Sequence, residues 1–312
     1  MSWNTRLLPD LRGRSAVVTG GTSGIGFFVA EQLASAGAHV TLAGRSPERT
    51  RAAVAALARS APDVLFTSVR LDLADLESVR EAADTIRAAG PLDILVNNAG
   101  VTAAPRRAET RDGFELMLGT NHLGPFALTL QLLPALVSAG PARVVSLGSL
   151  THTPARIDFD DLHGQGAYRS MRAYGRSKLA ALLFAFELDR RLRAAGSAVS
   201  SLAAHPGWAV DGLTPARPPM WEPSPWLRRR GRPLAVVAQG KDRGAWSVVR
   251  AASDPDAQGG QYFGPSGPGS LRGLPAIEHA ADHAYDPAAG ARLWEVSEAL
   301  TGVHWEQSLS AC

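Results

Sequence analysis

Cysteine is almost absent from this chain of 312 residues, whose only cysteine is the last residue, Cys312. A single thiol cannot form a disulfide within the chain, so the sequence is unlike the small extracellular proteins that disulfides hold together. We therefore expect a protein of a reducing compartment, and specifically a cytoplasmic one.

Long apolar runs are also missing. Apolar residues make up 45% of the chain, but no stretch approaches the roughly 20 uninterrupted apolar residues that a membrane-spanning helix requires. Residues 1–14 mix polar, apolar and charged types and lack the charged-then-apolar layout of a secretion signal. We predict no membrane span and no export.

Neither the charge nor the histidines indicate a macromolecular or metal partner. The net charge is only +3, so we predict no nucleic-acid binding. One basic run could meet phosphates or acidic lipid, but we interpret it as a solvated surface loop; it consists of Arg228, Arg229, Arg230 and Arg232. No metal is predicted, because none of His152, His163 and His205 belongs to an H-x-x-x-H pattern or has a cysteine beside it, and we interpret all three as structural or surface residues.

Short β-branched runs alternate with amphipathic stretches rich in alanine and leucine. The runs predict strands at residues 15–19, 39–43, 65–71, 94–97, 143–147 and 198–203, with helices between them, for example at 25–36 and 76–89. This alternation is typical of an α/β fold, and we predict a doubly wound parallel β-sheet of the Rossmann type in a three-layer αβα sandwich. One domain over residues 1–312 is the expectation at this length.

Residues 208–240 interrupt this periodicity with six prolines and three tryptophans, Trp208, Trp221 and Trp226. A long irregular segment in a compact domain is usually a functional lid or disordered, and disordered segments are poor in aromatic residues. We therefore predict a lid that covers an apolar substrate. A helix at 243–251, a strand at 261–263 and a helix at 287–300 are predicted to follow it.

Residues 19–26, Thr-Gly-Gly-Thr-Ser-Gly-Ile-Gly, follow the first strand directly and open into a helix. In this context Gly20 allows a tight turn, Gly24 lets the backbone approach a pyrophosphate, and Gly26 lets the helix pack close to the sheet. The free N–H groups of the helix N-terminus would bind the anion. Cofactor contacts are predicted for Gly20, Thr22, Ser23, Gly24, Ile25 and Gly26.

The second strand ends without the carboxylate that would bind the ribose hydroxyls of NAD. Arg45 and Ser46 stand there instead. A guanidinium and a neighbouring hydroxyl suit a 2′-phosphate, so the predicted cofactor is NADP(H). The alternative is that Arg45 is a solvent-exposed residue at the end of the strand and binds no cofactor.

Tyr174 and Lys178 are four residues apart in a strongly helical run, so their side chains share one helix face. A cation about 4 Å from a phenol contributes roughly 4 kcal/mol at an effective dielectric constant of 20, which would lower the pKa of Tyr174 from about 10 to near 7 before desolvation is counted. The pair predicts acid–base chemistry.

Together these motifs make the chain resemble the short-chain dehydrogenase/reductase family over nearly its full length. The matching segments are residues 19–26, 71–73, 97–100, Asn121, Ser149, the Tyr174/Lys178 pair and residues 205–207. Within this family, the chain resembles the branch of retinol dehydrogenases and protochlorophyllide reductases. The features that carry this resemblance are the long spacing between Ser149 and Tyr174, residues 118–126 and residues 293–297. This branch implies a hydrophobic carbonyl or alcohol as the substrate.

The resemblance implies a role for each matching residue. Ser149 would hold the substrate oxygen, Tyr174 would exchange its proton, Lys178 would lower the phenol pKa and bind the nicotinamide ribose, and Asn121 would sustain a water relay. Further cofactor contacts would come from Asp72 and Leu73 at the adenine, from Asn98, Ala99 and Gly100 beside the adenosine ribose, and from Pro206 and Gly207 near the carboxamide. Ser149 is preferred to Ser146 because it lies beyond the carboxyl end of its strand, where ligands of such sheets bind.

One position departs from the family pattern. Where the family tends to place a threonine that touches the pyrophosphate, this chain has Asp211. A carboxylate would repel the phosphate unless a cation intervenes or the loop turns away.

The helix after Lys178 carries two apolar stripes, one more than a single sheet face needs. The second stripe contacts either a neighbouring helix or a second subunit, and we predict a homodimer or homotetramer. The leading function is reversible carbonyl reduction. The alternatives are reduction of a conjugated C=C bond in secondary metabolism, or NADP(H) sensing without turnover.

Overall fold

Eight strands form one central sheet in the computed structural model, which describes residues 8–102, 106–166 and 168–310. Residues 1–7 and Cys312 lie outside the described residues. The first of these belong to the segment 1–14, for which no export signal is predicted. The strands are β1 Ser15–Thr19, β2 His39–Gly44, β3 Phe66–Arg70, β4 Ile94–Asn97, β5 Arg143–Leu147, β6 Ser200–Ala204, β7 Tyr262–Pro265 and β8 Pro275–Glu278.

The strand order is β3-β2-β1-β4-β5-β6-β7-β8. Strands β1 to β7 run parallel, and β8 pairs antiparallel with β7. The predicted Rossmann-type sheet is therefore confirmed, and the six strands predicted in the first two-thirds of the chain agree to within two residues at each end. Strand β8 was not predicted, because its four residues begin with proline and depend on pairing with β7.

Helices cover both faces of the sheet. They are α1 Gly24–Ser35, α2 Pro47–Ser60, α3 Leu76–Ala88, α4 Leu116–Leu118, α5 Gly124–Ser138, α6 Ser170–Ala194, α7 Pro225–Gly231, α8 Lys241–Ser253, α9 Pro287–Thr301 and α10 Trp305–Ser310. Residues Gly119–Leu123 form a π-helical turn that joins α4 to α5. None of the described helices combines the length and hydropathy needed to cross a membrane.

Local sequence explains why these helices form and which face they bury. Helix α3 begins after Asp75, whose carboxylate accepts hydrogen bonds from the Glu77 and Ser78 amides. Its buried residues include Val79, Ala82, Ala83 and Ile86, which follow the spacing of one helix face. Successive residues of the strands, such as Val17 and Val18, pack into opposite halves of the core. The sheet thus has helices α1, α2 and α8 on one face and α3, α5 and α6 on the other.

The two apolar stripes of α6 are both buried within the single chain. Phe184 and Leu188 pack in one cluster with Phe126 and Trp294, whereas the stripe with Leu182 and its neighbours packs in another beside Leu293 and Tyr262. Of the two partners considered for the second stripe, the neighbouring helices are the ones that the structure provides. These stripes no longer argue for a subunit interface, and the homodimer or homotetramer stays a prediction on the family resemblance alone.

His122 is a titratable group inside this core. It is 1% exposed, its Nε2 lies 2.8 Å from the Ser297 hydroxyl, and the rings of Phe126 and Phe184 lie about it. Burial in these apolar surroundings lowers the pKa of His122 from 6.5 to about 3. The imidazole is therefore neutral in the folded protein at neutral pH.

We predict that His122 makes the fold sensitive to acid. The folded pKa lies below the unfolded one, so the unfolded chain binds the additional proton as the pH falls below 6.5, and stability is lost. Between pH 7.5 and pH 5 the free energy of unfolding of the wild type, relative to His122→Gln, should fall by about 2 kcal/mol. Urea unfolding of both proteins at the two pH values measures this change, and an unchanged difference would show that His122 is not buried in its neutral form.

Candidate active site

The candidate site lies at the carboxyl ends of β1 and β4, where the direction of the strand order reverses and where α/β sheets bind ligands. Gly20 makes the turn out of β1 with φ +65°, in the left-handed region that favours glycine. A Cβ at this position would lie 3.0 Å from the Cα of Ala99. The turn is thus packed directly against the segment that follows β4.

Gly26 has an even closer neighbour. A Cβ there would lie 2.3 Å from the Asn98 Nδ2 and 2.5 Å from the Gly20 carbonyl oxygen. The same Asn98 amide donates a hydrogen bond of 2.8 Å to the Thr19 carbonyl. The predicted role of Gly26, close packing of the helix on the sheet, agrees with this geometry, and Asn98 fastens the turn from the β4 side.

The N-terminus of α1 is open to a ligand. Ser23 occupies its N-cap position but makes no side-chain capping bond, and the first turn holds no acidic residue. By contrast, Ser46 and Asp75 cap helices α2 and α3. The first amides of α1 have no intrahelical acceptor, and together with the helix dipole they favour an anion at this end.

A cavity of about 720 Å³ extends from this turn along the carboxyl ends of β2 and β4. Ten of the residues predicted to contact the cofactor line it: Gly20, Thr22, Ser23, Arg45, Ser46, Asp72, Leu73, Asn98, Ala99 and Gly100. Gly24, Ile25, Gly26, Pro206 and Gly207 are not among its lining residues. The glycine-rich lining beside the open N-terminus of α1 fits an adenine dinucleotide, and two arginine residues belong to this lining.

The second guanidinium belongs to Arg49, which the sequence prediction missed. Arg49 and Arg45 line the same end of the cavity. The spacing of four residues was a usable signal, although Arg45 precedes the first turn of α2. The Ser46 hydroxyl also caps α2 by accepting from the Arg49 amide at 3.3 Å, and it donates to Glu48 at 2.8 Å. Its contact with a 2′-phosphate stays a prediction.

Tyr174 and Lys178 project from α6 towards the end of β5. Tyr174 is half-buried and shares a hydrogen bond with Ser149, while the Lys178 Nζ donates to the Leu147 carbonyl at 2.8 Å. The Lys178 Nζ lies 6.0 Å from the centre of the Tyr174 ring. The structure therefore brings Ser149, Tyr174 and Lys178 together as predicted.

The pKa values of this pair are governed by burial. Burial raises the pKa of Tyr174, and the hydrogen bond with Ser149 opposes this effect only in part. This direction differs from the sequence prediction, which treated desolvation as a smaller effect than the attraction of a cation at about 4 Å, whereas the cost of burying a phenolate is the larger of the two. Burial also lowers the pKa of Lys178, which is 7% exposed, to about 8.

Ser149 is held by its own loop. Its hydroxyl accepts hydrogen bonds from the Thr151 amide at 3.3 Å and the Thr151 hydroxyl at 3.0 Å, and the His152 Nδ1 lies 2.5 Å from the Ser149 carbonyl oxygen. Ser146, the rejected alternative, lies inside β5 at 2% exposure and faces a small internal cavity with Asn121 and His122. The geometry supports the choice of Ser149.

Asn121 lies in the π-helical turn, where its side chain joins two segments of the site. Its Oδ1 accepts from the Val101 amide at 2.7 Å, and its Nδ2 donates to the Val101 carbonyl at 3.0 Å and to the Ser177 hydroxyl at 2.9 Å. Asn121 thus fastens the loop after β4 to helix α6, beside Lys178.

The three histidines considered as metal ligands are hydrogen-bonded within the protein. The His205 Nε2 lies 2.8 Å from Glu278, and the His152 Nε2 accepts from the Ala281 amide. The His163 Nδ1 accepts from the Glu115 amide. Among the described residues, no group of three or more histidine, cysteine or acidic side chains is arranged to hold a metal ion.

Asp211, which departs from the family pattern, forms an ion pair with the Nζ of Lys241. Both residues line a cavity of about 170 Å³ together with Ser23, Gly24 and Trp221. Of the two ways in which a carboxylate could be tolerated near a phosphate, the structure provides the first, because a cation stands beside it. No sequence pattern indicates this pair, because its members are 30 residues apart.

Comparisons with known proteins agree with this architecture. The model of a family described as short chain dehydrogenase matches residues 14–214. Polyprenol dehydrogenase of Mus musculus is 41% identical over 305 residues, which cover 95% of this chain and 86% of the relative. Retinol dehydrogenase 12 of Mus musculus is 36% identical over 300 residues, with coverages of 95% and 89%.

Two solved structures extend the comparison. An uncharacterised protein from Mycobacterium paratuberculosis has a TM-score of 0.79 at 38% identity, with 98% of this chain and 99% of that chain covered. The NADP active-site complex of RhlG from Pseudomonas aeruginosa has a TM-score of 0.60 at 26% identity, with coverages of 81% and 94%. The resemblance to the retinol dehydrogenase branch is confirmed.

The packing at Gly26 leads to a prediction. In Gly26→Ala the new methyl group would meet the Gly20 backbone as well as Asn98, and overpacking of this kind destabilises a protein by about 1–3 kcal/mol. The matched control is Gly166→Ala, because a Cβ there would lie 3.5 Å from its nearest neighbour, the Asp161 carboxylate. Urea unfolding without cofactor should show the loss for position 26 and a change within about 0.5 kcal/mol for position 166. Equal stabilities would mean that the turn is not tightly packed.

Proposed function

The chain belongs to the short-chain dehydrogenase family, and on that premise we propose that it is an NADP(H)-dependent oxidoreductase acting on a hydrophobic carbonyl or alcohol. The observation that carries the proposal is the arrangement of Tyr174, Ser149 and Lys178 at the carboxyl end of β5, close to a cavity that fits an adenine dinucleotide. This arrangement supplies the acid–base group that carbonyl reduction requires.

In this proposal the cofactor is bound by the residues that line the cleft. The amides at the start of α1 receive its pyrophosphate, and Leu73 and the segment Asn98 to Gly100 contact its adenosine half. Pro206 and Gly207 lie near the carboxamide. The bound nicotinamide supplies the hydride for reduction or accepts it for oxidation.

Tyr174 then acts as the general acid in the direction of reduction. Because burial raises its pKa, the phenol keeps its proton at neutral pH and can donate it to the oxygen of a carbonyl substrate. The Ser149 hydroxyl, which shares a hydrogen bond with Tyr174 in the free protein, would hold that oxygen and stabilise its developing negative charge.

Lys178 stabilises the negative charge that Tyr174 acquires. With a pKa of about 8, most Lys178 side chains remain protonated at pH 7. The ammonium uses one proton on the Leu147 carbonyl, and its other two protons can reach the nicotinamide ribose. Asn121, beside it, would sustain the water relay that returns a proton to Tyr174.

A hydrophobic substrate is supported by the relatives and by the lid. The similar proteins are named polyprenol dehydrogenase and retinol dehydrogenase, and both names denote apolar alcohols. The proposed lid, residues 208–240, contains short helices and exposes Trp208 and Trp226 at 43% and 62%. Trp208 directly follows Gly207, so apolar surface adjoins the proposed carboxamide site.

NADP(H) is proposed rather than NAD(H) because the cavity end beyond β2 holds two guanidinium groups, Arg45 and Arg49. A doubly charged 2′-phosphate is favoured by such a pair, and a ribose hydroxyl gains little from it. The NADP complex of a structural relative agrees with this choice.

Replacement of the proposed acid gives the first test. Tyr174→Phe removes only the hydroxyl, and loss of a general acid should lower kcat by about 10²- to 10⁴-fold while the Kd for NADPH changes less than about threefold. The measurement is the loss of NADPH absorbance with a panel of apolar ketones, aldehydes and quinones, with identification of the product as an alcohol.

Undiminished turnover by Tyr174→Phe would contradict the assignment of the acid. A product in which a C=C bond is reduced would replace carbonyl reduction by the alternative reaction. Tight NADPH binding without turnover on the whole panel would favour the sensing function.

The cofactor preference has its own test in Arg45→Ala. Loss of a charge-assisted hydrogen bond to a 2′-phosphate should weaken NADPH binding by about 10- to 100-fold and NADH binding by less than about twofold. Arg51→Ala is the matched control, because Arg51 is exposed on α2 and is absent from the lining of the cavity. Titration of protein fluorescence with both cofactors measures the Kd values, and an equal loss for the two would refute the assignment.

A further inference from the structure

Lysine is rare in this chain. Of its 32 basic residues, 30 are arginine and two are lysine, Lys178 and Lys241. Lys178 belongs to the proposed catalytic group, whereas Lys241 has no role in the function proposed above. A chain that uses arginine almost everywhere has a compact, flexible ammonium at only two positions, and both adjoin the cofactor cleft.

The Lys241 side chain lies close to the glycine-rich turn. Its Nζ lies 3.9 Å from the point that a Cβ on Gly24 would occupy, and it shares the cavity of about 170 Å³ with Ser23 and Gly24. Ser23 also lines the larger cofactor cavity. The ammonium therefore stands at the uncapped N-terminus of α1, where the pyrophosphate of a dinucleotide would bind.

The stability of helix α8 does not explain a lysine at this position. Lys241 is the first residue of α8, and a cation at a helix N-terminus is repelled by the helix dipole. The ion pair with Asp211 offsets that repulsion. The Lys241 amide also donates to the Thr214 hydroxyl at 3.0 Å, which joins the start of α8 to the segment that carries Asp211.

The ammonium retains capacity for a ligand. It has three protons, and its side chain is 25% exposed and lies 5.9 Å from the centre of the Trp221 ring. Asp211 accepts one of these protons, so two remain for phosphate oxygens. The same ammonium lies beside Asp211 and offsets the repulsion between that carboxylate and the anion.

We propose that Lys241, oriented by Asp211, binds the pyrophosphate of the cofactor and replaces the threonine contact that this chain lacks. This inference rests on the proposed function, because it assigns a residue to the dinucleotide site. Lys241 is a binding residue, and Asp211 is a positioning residue that acts through it. The ligand class is a diphosphate ester on the α1 N-terminus.

The first experiment compares two ligands by isothermal titration calorimetry. NADPH reaches both ends of the cleft, whereas adenosine 2′-phosphate reaches only the Arg45 end. Lys241→Gln should weaken NADPH binding by about 10- to 100-fold, because it removes a charge-assisted contact and leaves Asp211 without its cation. The same change should leave the Kd for adenosine 2′-phosphate within about twofold, whereas a general structural defect would weaken both ligands.

Two further variants test the coupling between the pair and the effect of charge alone. Lys241→Gln combined with Asp211→Thr should recover most of the lost NADPH affinity, because the repelling carboxylate is gone. Arg243→Gln is the matched control: Arg243 is an exposed cation on the same turn of α8 and lies over Trp246. Its removal should change the NADPH Kd less than about twofold.

Chemical labelling of the unmodified protein provides an independent readout. With only two lysines, acylation by a lysine-selective reagent followed by peptide mapping reports on Lys241 separately from Lys178, which is 7% exposed and belongs to the proposed nicotinamide site. Saturating NADPH should protect Lys241 at least about fivefold, and adenosine 2′-phosphate should not protect it.

The outcomes separate the two proposals. Failure of the wild type to bind either ligand would overturn the proposed function and this inference with it. Normal NADPH binding by Lys241→Gln, or equal labelling of Lys241 with and without NADPH, would overturn only the inference about Lys241.

Discussion

The close approach of helix α1 to the edge of the sheet is the constraint on which the rest of the site depends. At Gly26 there is no room for a side chain, at Gly20 a Cβ would crowd Ala99, and Asn98 ties the turn to the segment after β4. This packing directs the first amides of α1 into the cleft with no side chain or carboxylate to satisfy them. An anion is the complement of that arrangement, and the cavity, the cations and the side chains proposed to be catalytic are all placed around it.

Burial, more than the attraction between charges, determines the protonation of Tyr174 and Lys178, the pair proposed to be catalytic. Tyr174 keeps its proton because a phenolate would be poorly solvated, and Lys178 holds its proton less tightly for the same reason. Both pKa shifts favour the uncharged forms, which are the phenol of Tyr174 and the neutral amine of Lys178. Such a pair can release and regain a proton when a substrate oxygen changes the local charge, which is what a reversible reaction at a carbonyl requires.

Local patterns carried most of what the sequence could predict. Strands β1, β4 and β5 were predicted to the residue because each is a short, almost uninterrupted apolar run, and the pair Tyr174 and Lys178 was visible because helical spacing alone brings it together. What depends on distant segments was not visible. Strand β8 exists through its pairing with β7, Arg49 becomes part of the site through the shape of the cavity, and Lys241 meets Asp211 only in the folded chain. The direction of the Tyr174 pKa shift was also predicted wrongly, because the shift depends on how deeply the folded chain buries the phenol.

The two ends of the cleft pose different steric problems, and the cations differ accordingly. Beyond β2 the cavity is open, and Arg45 and Arg49 can present broad, planar groups to a phosphate that projects from the ribose. At the α1 turn the phosphate would lie against the backbone, and the available space is the small cavity between Gly24, Trp221 and Asp211. A guanidinium needs room for its planar fork, whereas an ammonium concentrates its charge in one small group. The nearby carboxylate then serves to hold that flexible side chain in place, so the departure at Asp211 and the rare lysine are best understood as one feature.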